Sequence, residues 1–312
     1  MTDFKKFKDI LTADELAVYT LRALYSEYGY MQYKMSKFEE YELYIRNKDF
    51  LISDNIITFT DTDGRLLALK PDVTLSIIKN SRDMEGGIMK ACYNENVYRV
   101  SGGTKSFKEI MQVGLECIGD IKDDMLFEVI SLAKKSLNLI SGENVLEISQ
   151  LDIVSGVLDF LGLVSGQREE YLSLLAGKNV NGIESLCNEL DITGKGRELL
   201  VGLSTVSGSV SDTVGKLDLF AVNEQTRAAI AQLRALSDAL SGQGLSEGVN
   251  IDFSVVNDMN YYNGLCFTGF VLGIPTGILS GGQYDKLMTK MMRCDRAIGF
   301  AVYLDELDNL PR

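Results

Sequence analysis

The sequence predicts an α+β fold: a mainly antiparallel sheet flanked by helices, with a helical insertion. Three observations carry this. Long strand patterns occupy residues 89–119, and strand patterns return at 249–273. Between them, from 152 to 243, short helical patterns such as QREEYLSLLAG and VNGIESLCNEL follow one another with no strand pattern. The strict strand–helix–strand alternation of a dinucleotide fold is absent. The expected organisation is therefore a core made of 1–151 and 244–312, with 152–243 as the insertion.

The elements follow in order. DELAVYTLRALYSEY, 14–28, reads as an amphipathic helix with Leu16, Tyr19, Leu24 and Tyr28 on its apolar side. Thr12 or Asp14 would cap it and Gly29 would stop it. In IITFTDTDGRLLALKPD, Asp63-Gly64 between two apolar runs signals a hairpin. Pro71 ends its second strand, and Asp72 stands where the N-cap of VTLSIIKN belongs. MKACYNENVYRV and FKEIMQVGLECIG are two long strands joined by SGGTKS.

In the second of these strands, alternation puts Gln112, Gly114 and Glu116 on one face and Met111, Val113, Leu115 and Cys117 on the other. A polar row with a central glycine suggests a floor on which a ligand lies; the alternative is a solvated face. A helix over 124–141, the strand NVLEISQ, and after the insertion VNIDFSVV, YYNGLCFTGFVLG and AIGFAVYLDEL complete the pattern. The run Gly281-Gly282 opens GGQYD, which matches neither the dinucleotide nor the Walker glycine pattern. A small-molecule wall is the better reading, with Tyr262 and Tyr284 inward and the glycines allowing close backbone approach.

Composition limits the function. The 312 residues carry a net charge of −13, and lysines and arginines are scattered without a basic block. That argues against nucleic-acid binding, which rests on phosphate neutralisation. No apolar run is long enough for a membrane span and MTDFKKFKDILTADEL lacks a secretion-signal core, so a cytoplasmic protein is expected. The five cysteines, at 92, 117, 187, 266 and 294, form no metal or disulfide pattern and read as buried thiols. Histidine is absent altogether, which removes the commonest general base and most zinc sites. No cofactor and no metal are expected.

Five stretches, TDGRLLALKPDVTLSIIKN, VYRV, FKEIMQVGLECIG, NYYNGLCF with SGGQYDKL, and RAIGFAVYLDEL, occur in the order and rough spacing of the histidyl-tRNA synthetase catalytic core. The chain resembles that core, a class II aminoacyl-tRNA synthetase fold, along nearly its whole length. The resemblance implies a pocket for histidine. Asp72, Thr74 and Gln112 would meet the α-ammonium, and Glu116 and Tyr262 the imidazole, with Tyr284 beside them. Arg99 matches the arginine that grips the α-phosphate of ATP.

Elsewhere the sequence departs from the synthetases. Glu306 stands where they carry the arginine beneath the adenine, and Asn257 where they carry a second catalytic arginine. Ser101 replaces an acidic partner, and SGGTKS lacks the arginine pair, although Lys105 and Lys108 keep some charge. An arginine exchanged for a carboxylate repels a polyphosphate. The sequence stops at Arg312, so no anticodon-binding domain is expected.

A core with these losses resembles the ATP phosphoribosyltransferase regulatory subunits. The resemblance implies a noncatalytic subunit required for the first step of histidine biosynthesis and for its feedback inhibition by histidine. It further implies a short-form catalytic phosphoribosyltransferase as partner, self-association as a dimer through residues 14–60, and a hetero-octamer. The missing histidines agree in direction, since a protein needed when histidine is scarce benefits from using none; chance is the alternative. Two other functions stay open: a truncated histidine-activating ligase, and a stand-alone amino-acid sensor.

Overall fold

The structure is a computed structural model that describes residues 10–51, 56–81, 87–100, 106–256, 261–293 and 296–309. The first helix, Ala13–Glu27, begins at a reciprocal cap. Thr12 Oγ1 accepts from the Glu15 N–H, and the Glu15 carboxylate accepts from the Thr12 N–H at 3.0 Å. Its buried stripe is Val18, Leu21 and Tyr25, while Tyr19 is exposed. Leu24 and Tyr28 of the expected apolar side pack, partly buried, against the same core, whereas Tyr19 does not. Gly29 follows at φ +82°, in the left-handed region.

Strands β1 (Met31–Gln32), β2 (Phe38–Glu40), β3 (Thr58–Thr60) and β4 (Leu66–Leu69) come next. β3 and β4 form the expected hairpin, and β2 joins β4 to complete a small three-stranded sheet. In the turn the Asp63 carboxylate accepts from the Arg65 N–H, and Gly64 sits at φ +88°. The chain then enters helix Val73–Asn80.

The remaining strands are β5 (Ile88–Val100), β6 (Phe107–Gly119), β7 (Asn144–Gln150), β8 (Ser207–Ser209), β9 (Val249–Asp252), β10 (Asn263–Val271), β11 (Leu279–Gln283) and β12 (Arg296–Tyr303). Among the described residues they form, with β1, one nine-stranded sheet of order β1-β5-β6-β12-β11-β10-β7-β9-β8. The pairs from β5 to β7 are antiparallel; β1 on β5 and β9 on β7 are parallel. This is the α+β, mainly antiparallel architecture expected of a class II synthetase-like core.

One face of the sheet carries Val113, Leu115 and Cys117, which pack with Leu21 and Tyr25 of the first helix and with Leu126, Val129 and Ala133 of helix Asp123–Ile140. The opposite face is the one that holds the cavity described below. Between β7 and β9 run helices Leu151–Phe160, Ser165–Ala176, Val180–Glu189, Gly194–Thr205 and Glu224–Gly242, with shorter turns. Their buried Leu175, Leu200, Phe220 and Leu233 share one core with Leu146 and Ile251 of the sheet. The sequence shows no strand here, but β8 pairs antiparallel with β9. Three residues centred on Gly208 have no side-chain alternation to read; the edge of β9 defines the strand. No helix among the described residues is long and apolar enough to cross a membrane.

Candidate functional site

Asp72, Thr74, Arg99, Gln112, Glu116, Tyr262 and Tyr284 line one cavity of about 230 Å³. Each is placed by its element. Pro71 and the extended backbone of Asp72 end β4, and the Asp72 carboxylate caps the next helix, accepting from the Leu75 N–H at 2.8 Å. Two residues on, Thr74 points back across the sheet and donates its hydroxyl to Glu116 Oε1 at 2.7 Å. Tyr284 precedes helix Asp285–Lys290 and donates to Glu116 Oε2 at 2.5 Å. Both oxygens of a fully buried carboxyl are therefore held by hydroxyls from separate segments.

The glycines around this carboxyl follow from the register. Glu116 lies opposite Gly299 of β12. A Cβ at 299 would stand 1.9 Å from Glu116 Oε2. Gly114 lies opposite Tyr93, whose hydroxyl would be 2.4 Å from a Cβ there. The polar row is buried, with Gln112 at 3% and Glu116 at 2% exposure, so the solvated-face alternative is excluded. Gly281 and Gly282 serve packing instead of the ligand approach expected of them. A Cβ at 281 would meet Gly299 O at 2.4 Å, and one at 282 would meet the Tyr262 ring at 2.9 Å.

Burial pushes the Glu116 carboxyl up to about 8, against the bonds from Tyr284 and Thr74 and with help from the charge of Asp72. Burial also raises Asp72, opposed chiefly by Arg99. The phenols of Tyr93, Tyr261 and Tyr284 are pushed up by burial first, with the charges of Glu116 and Asp72 adding for Tyr93 and Tyr261 and that of Glu116 for Tyr284. Among the described residues that line the cavity, Arg99 is the only cation. Its Nε donates to Pro71 O at 2.8 Å, and its guanidinium lies 4.0 Å from the Asp72 carboxylate. Arg99 thus braces the turn that presents Asp72.

Several lining residues were not singled out in the sequence. Tyr261 packs on Tyr262 with ring centroids 4.7 Å apart. The Tyr261-Tyr262 pair in the sequence is the signal for it. Tyr93 could have been found from the period of β5, which sets it opposite Gly114. Tyr303 and Ser280, joined hydroxyl to hydroxyl at 2.7 Å, close one end of the cavity and have no local signature. Glu306 lies on the 3-10 turn Leu304–Asn309, away from the lining, where its carboxylate accepts from the Thr276 hydroxyl at 3.1 Å. Asn257, Ser101 and Lys105 lie outside the described residues.

Buried polar groups of β6, the adjoining β12 and β11, and the rings of Tyr93, Tyr261, Tyr262 and Tyr284 thus enclose a cavity on a class II synthetase-like sheet. The family model described as histidyl-tRNA synthetase matches residues 10–307, and the chain belongs to that family. Curated relatives include ATP phosphoribosyltransferase regulatory subunits. That of Acetivibrio thermocellus is 30% identical over 291 residues, covering 90% of this chain and 68% of the relative. That of Ruminiclostridium cellulolyticum is 28% identical, covering 92% and 70%. A solved ATP phosphoribosyltransferase regulatory subunit/histidyl-tRNA synthetase from Bacillus halodurans superposes with a TM-score of 0.82 at 24% identity, covering 96% of this chain and 79% of that one. A chain of the ATP phosphoribosyltransferase complex from Thermotoga maritima superposes with a TM-score of 0.73 at 20% identity, covering 93% and 97%. The two structures bear on the fold alone.

Proposed function

We propose that this chain is the noncatalytic regulatory subunit of an ATP phosphoribosyltransferase, and that its synthetase-like cavity is the histidine sensor. The observation that carries the reading is the balance of the cavity lining. Its buried polar groups suit a small zwitterion with a ring, while among the described lining residues one cation, already braced to Pro71 and Asp72, faces two carboxyls where a triphosphate would need several positive groups.

In this reading histidine enters with its imidazole against Glu116 and the Tyr262 ring, its α-ammonium toward Asp72 and Gln112, and its α-carboxylate toward Arg99. Glu116, protonated at neutral pH in the empty cavity, shares its proton with the imidazole. Thr74, matched to the ammonium in the resemblance, instead holds Glu116 in place through its hydroxyl. Histidine binding favours one arrangement of the complex with a short-form catalytic subunit, and that preference is the feedback signal. A linkage of about 1–3 kcal/mol, 5–150-fold in affinity, is the usual size. Self-association and a hetero-octameric assembly belong to the same proposal.

The test mixes the chain with its short-form phosphoribosyltransferase and measures product formation with and without histidine. Activity that needs this chain and falls with histidine supports the reading. A catalytic subunit indifferent to the chain favours a stand-alone sensor, and ATP–pyrophosphate exchange by the chain itself favours a ligase.

A further inference from the structure

Strand β10 leads away from this cavity. Asn263, at its start, adjoins Tyr262, while Val271, at its end, lines a second concavity of about 840 Å³. Eight residue steps of extended chain separate the two by about 27 Å. The second concavity lies where the end of helix Asp123–Ile140 meets the starts of β7 and β9.

Its most unusual member is Lys134, which is 4% exposed. The ammonium donates to Asn144 Oδ1 at 2.7 Å, and among the described residues this is its one hydrogen bond. Asn144 is itself fixed, its amide donating to Asn138 Oδ1 and Ser141 O, so it turns only its oxygen to the lysine. Gly248, at φ +67°, keeps the space beside the ammonium clear: a Cβ there would stand 2.8 Å from Nζ and 2.6 Å from Asn144 O. An ammonium has three N–H groups. The other two have no hydrogen-bond partner and no carboxylate in contact among the described residues, and a buried charge without a counter-charge is costly. Burial accordingly lowers the Lys134 ammonium from its ordinary range, opposed by the charge of Glu247.

Around this point the lining is graded. Leu245, Phe270 and Leu272 form an apolar wall, with Leu272 69% exposed. Glu143 and Glu247 stand at the solvent rim. A buried cation, an apolar wall and an anionic rim match in turn a carboxylate, an apolar side chain and an ammonium. We propose that this concavity is a second small-molecule site, and that its ligand is a free α-amino acid with an apolar side chain. The carboxylate meets Lys134, the side chain lies on Phe270 and Leu272, and the ammonium faces Glu143 and Glu247. This site does not depend on the histidine reading of the first cavity.

The experiment titrates the full-length chain with L-leucine and L-phenylalanine by calorimetry. N-acetyl-L-leucine, which lacks the ammonium, and L-leucinamide, which lacks the carboxylate, serve as comparison probes. Saturable binding of at least one amino acid is expected, with leucinamide silent. Lys134→Met should weaken binding at least tenfold. Glu247→Gln, on an exposed rim where the fold tolerates it, should weaken L-leucine several-fold and leave N-acetyl-L-leucine unchanged. Absence of saturable binding by either amino acid, undiminished binding by Lys134→Met, or equal effects of Glu247→Gln on both leucine probes would each overturn the proposal.

Discussion

Titrating pH tests the chemistry assigned to Glu116. In the empty cavity its carboxyl is pushed up to about 8 by burial. Free imidazole titrates near 6.5. In the proposed histidine complex one proton is shared between ring and carboxyl. Below about 6.5 the separated partners carry two protons, so binding expels one and affinity falls as pH drops. Between about 6.5 and 8 they carry one, and affinity is level. Above about 8 they carry none, so binding takes one up and affinity falls again. Each limb is worth about tenfold per pH unit, or 1.36 kcal/mol. Histidine should therefore bind about tenfold more weakly at pH 5.5 and at pH 9 than at pH 7.2. Glu116→Gln cannot ionise, so the variant should keep the acid limb and lose the carboxyl's share of the alkaline one. Calorimetry in buffers of differing ionisation enthalpy reads both the affinity and the proton count. An affinity that climbs steadily from pH 7 to 9 in the wild type, or an alkaline limb equally steep in the variant, would refute the shared proton.

The same carboxyl makes the empty protein less stable as pH rises. Glu116 is protonated in the folded chain up to about 8 but ionises near 4.5 when unfolded, so the folded state holds the extra proton across that interval. Urea unfolding should show stability falling from pH 5 to 8, and Glu116→Gln should flatten that slope by up to about 1.4 kcal/mol per unit. Gly299→Ala would place a methyl 1.9 Å from Glu116 Oε2. It should cost about 1–3 kcal/mol of stability and lower histidine affinity at least tenfold; unchanged affinity would mean the carboxyl is not used. Thr12→Ala removes the first helix cap and should cost about 1 kcal/mol in chemical denaturation with histidine binding intact. Glu306→Arg should yield no ATP–pyrophosphate exchange, because that side chain sits against Thr276 outside the cavity lining.

Much of the cavity was legible because local rules placed it. Proline followed by aspartate before an apolar run fixes both the end of a strand and the cap of a helix, so Asp72 and Thr74 were readable. A period of two along 107–119 put Gln112, Gly114 and Glu116 on one face. What stayed hidden depends on partners distant in the chain. Tyr303 and Ser280 meet only because β11 and β12 pair. The need for glycine at 299 appears only when Glu116 of β6 lies opposite it. Gly281 and Gly282 looked like ligand clearance, yet they clear space for β12 and for Tyr262. β8 and the deep burial of Val18 and Leu21 in the first helix depend in the same way on the sheet they meet.

In the proposed function a synthetase scaffold senses histidine without activating it. Incubating the chain with ATP, magnesium and isotopically labelled histidine, then searching for histidyl-adenylate by mass spectrometry, addresses it most directly. The account predicts saturable binding of the labelled amino acid and no adenylate; adenylate formed in proportion to the protein would contradict it.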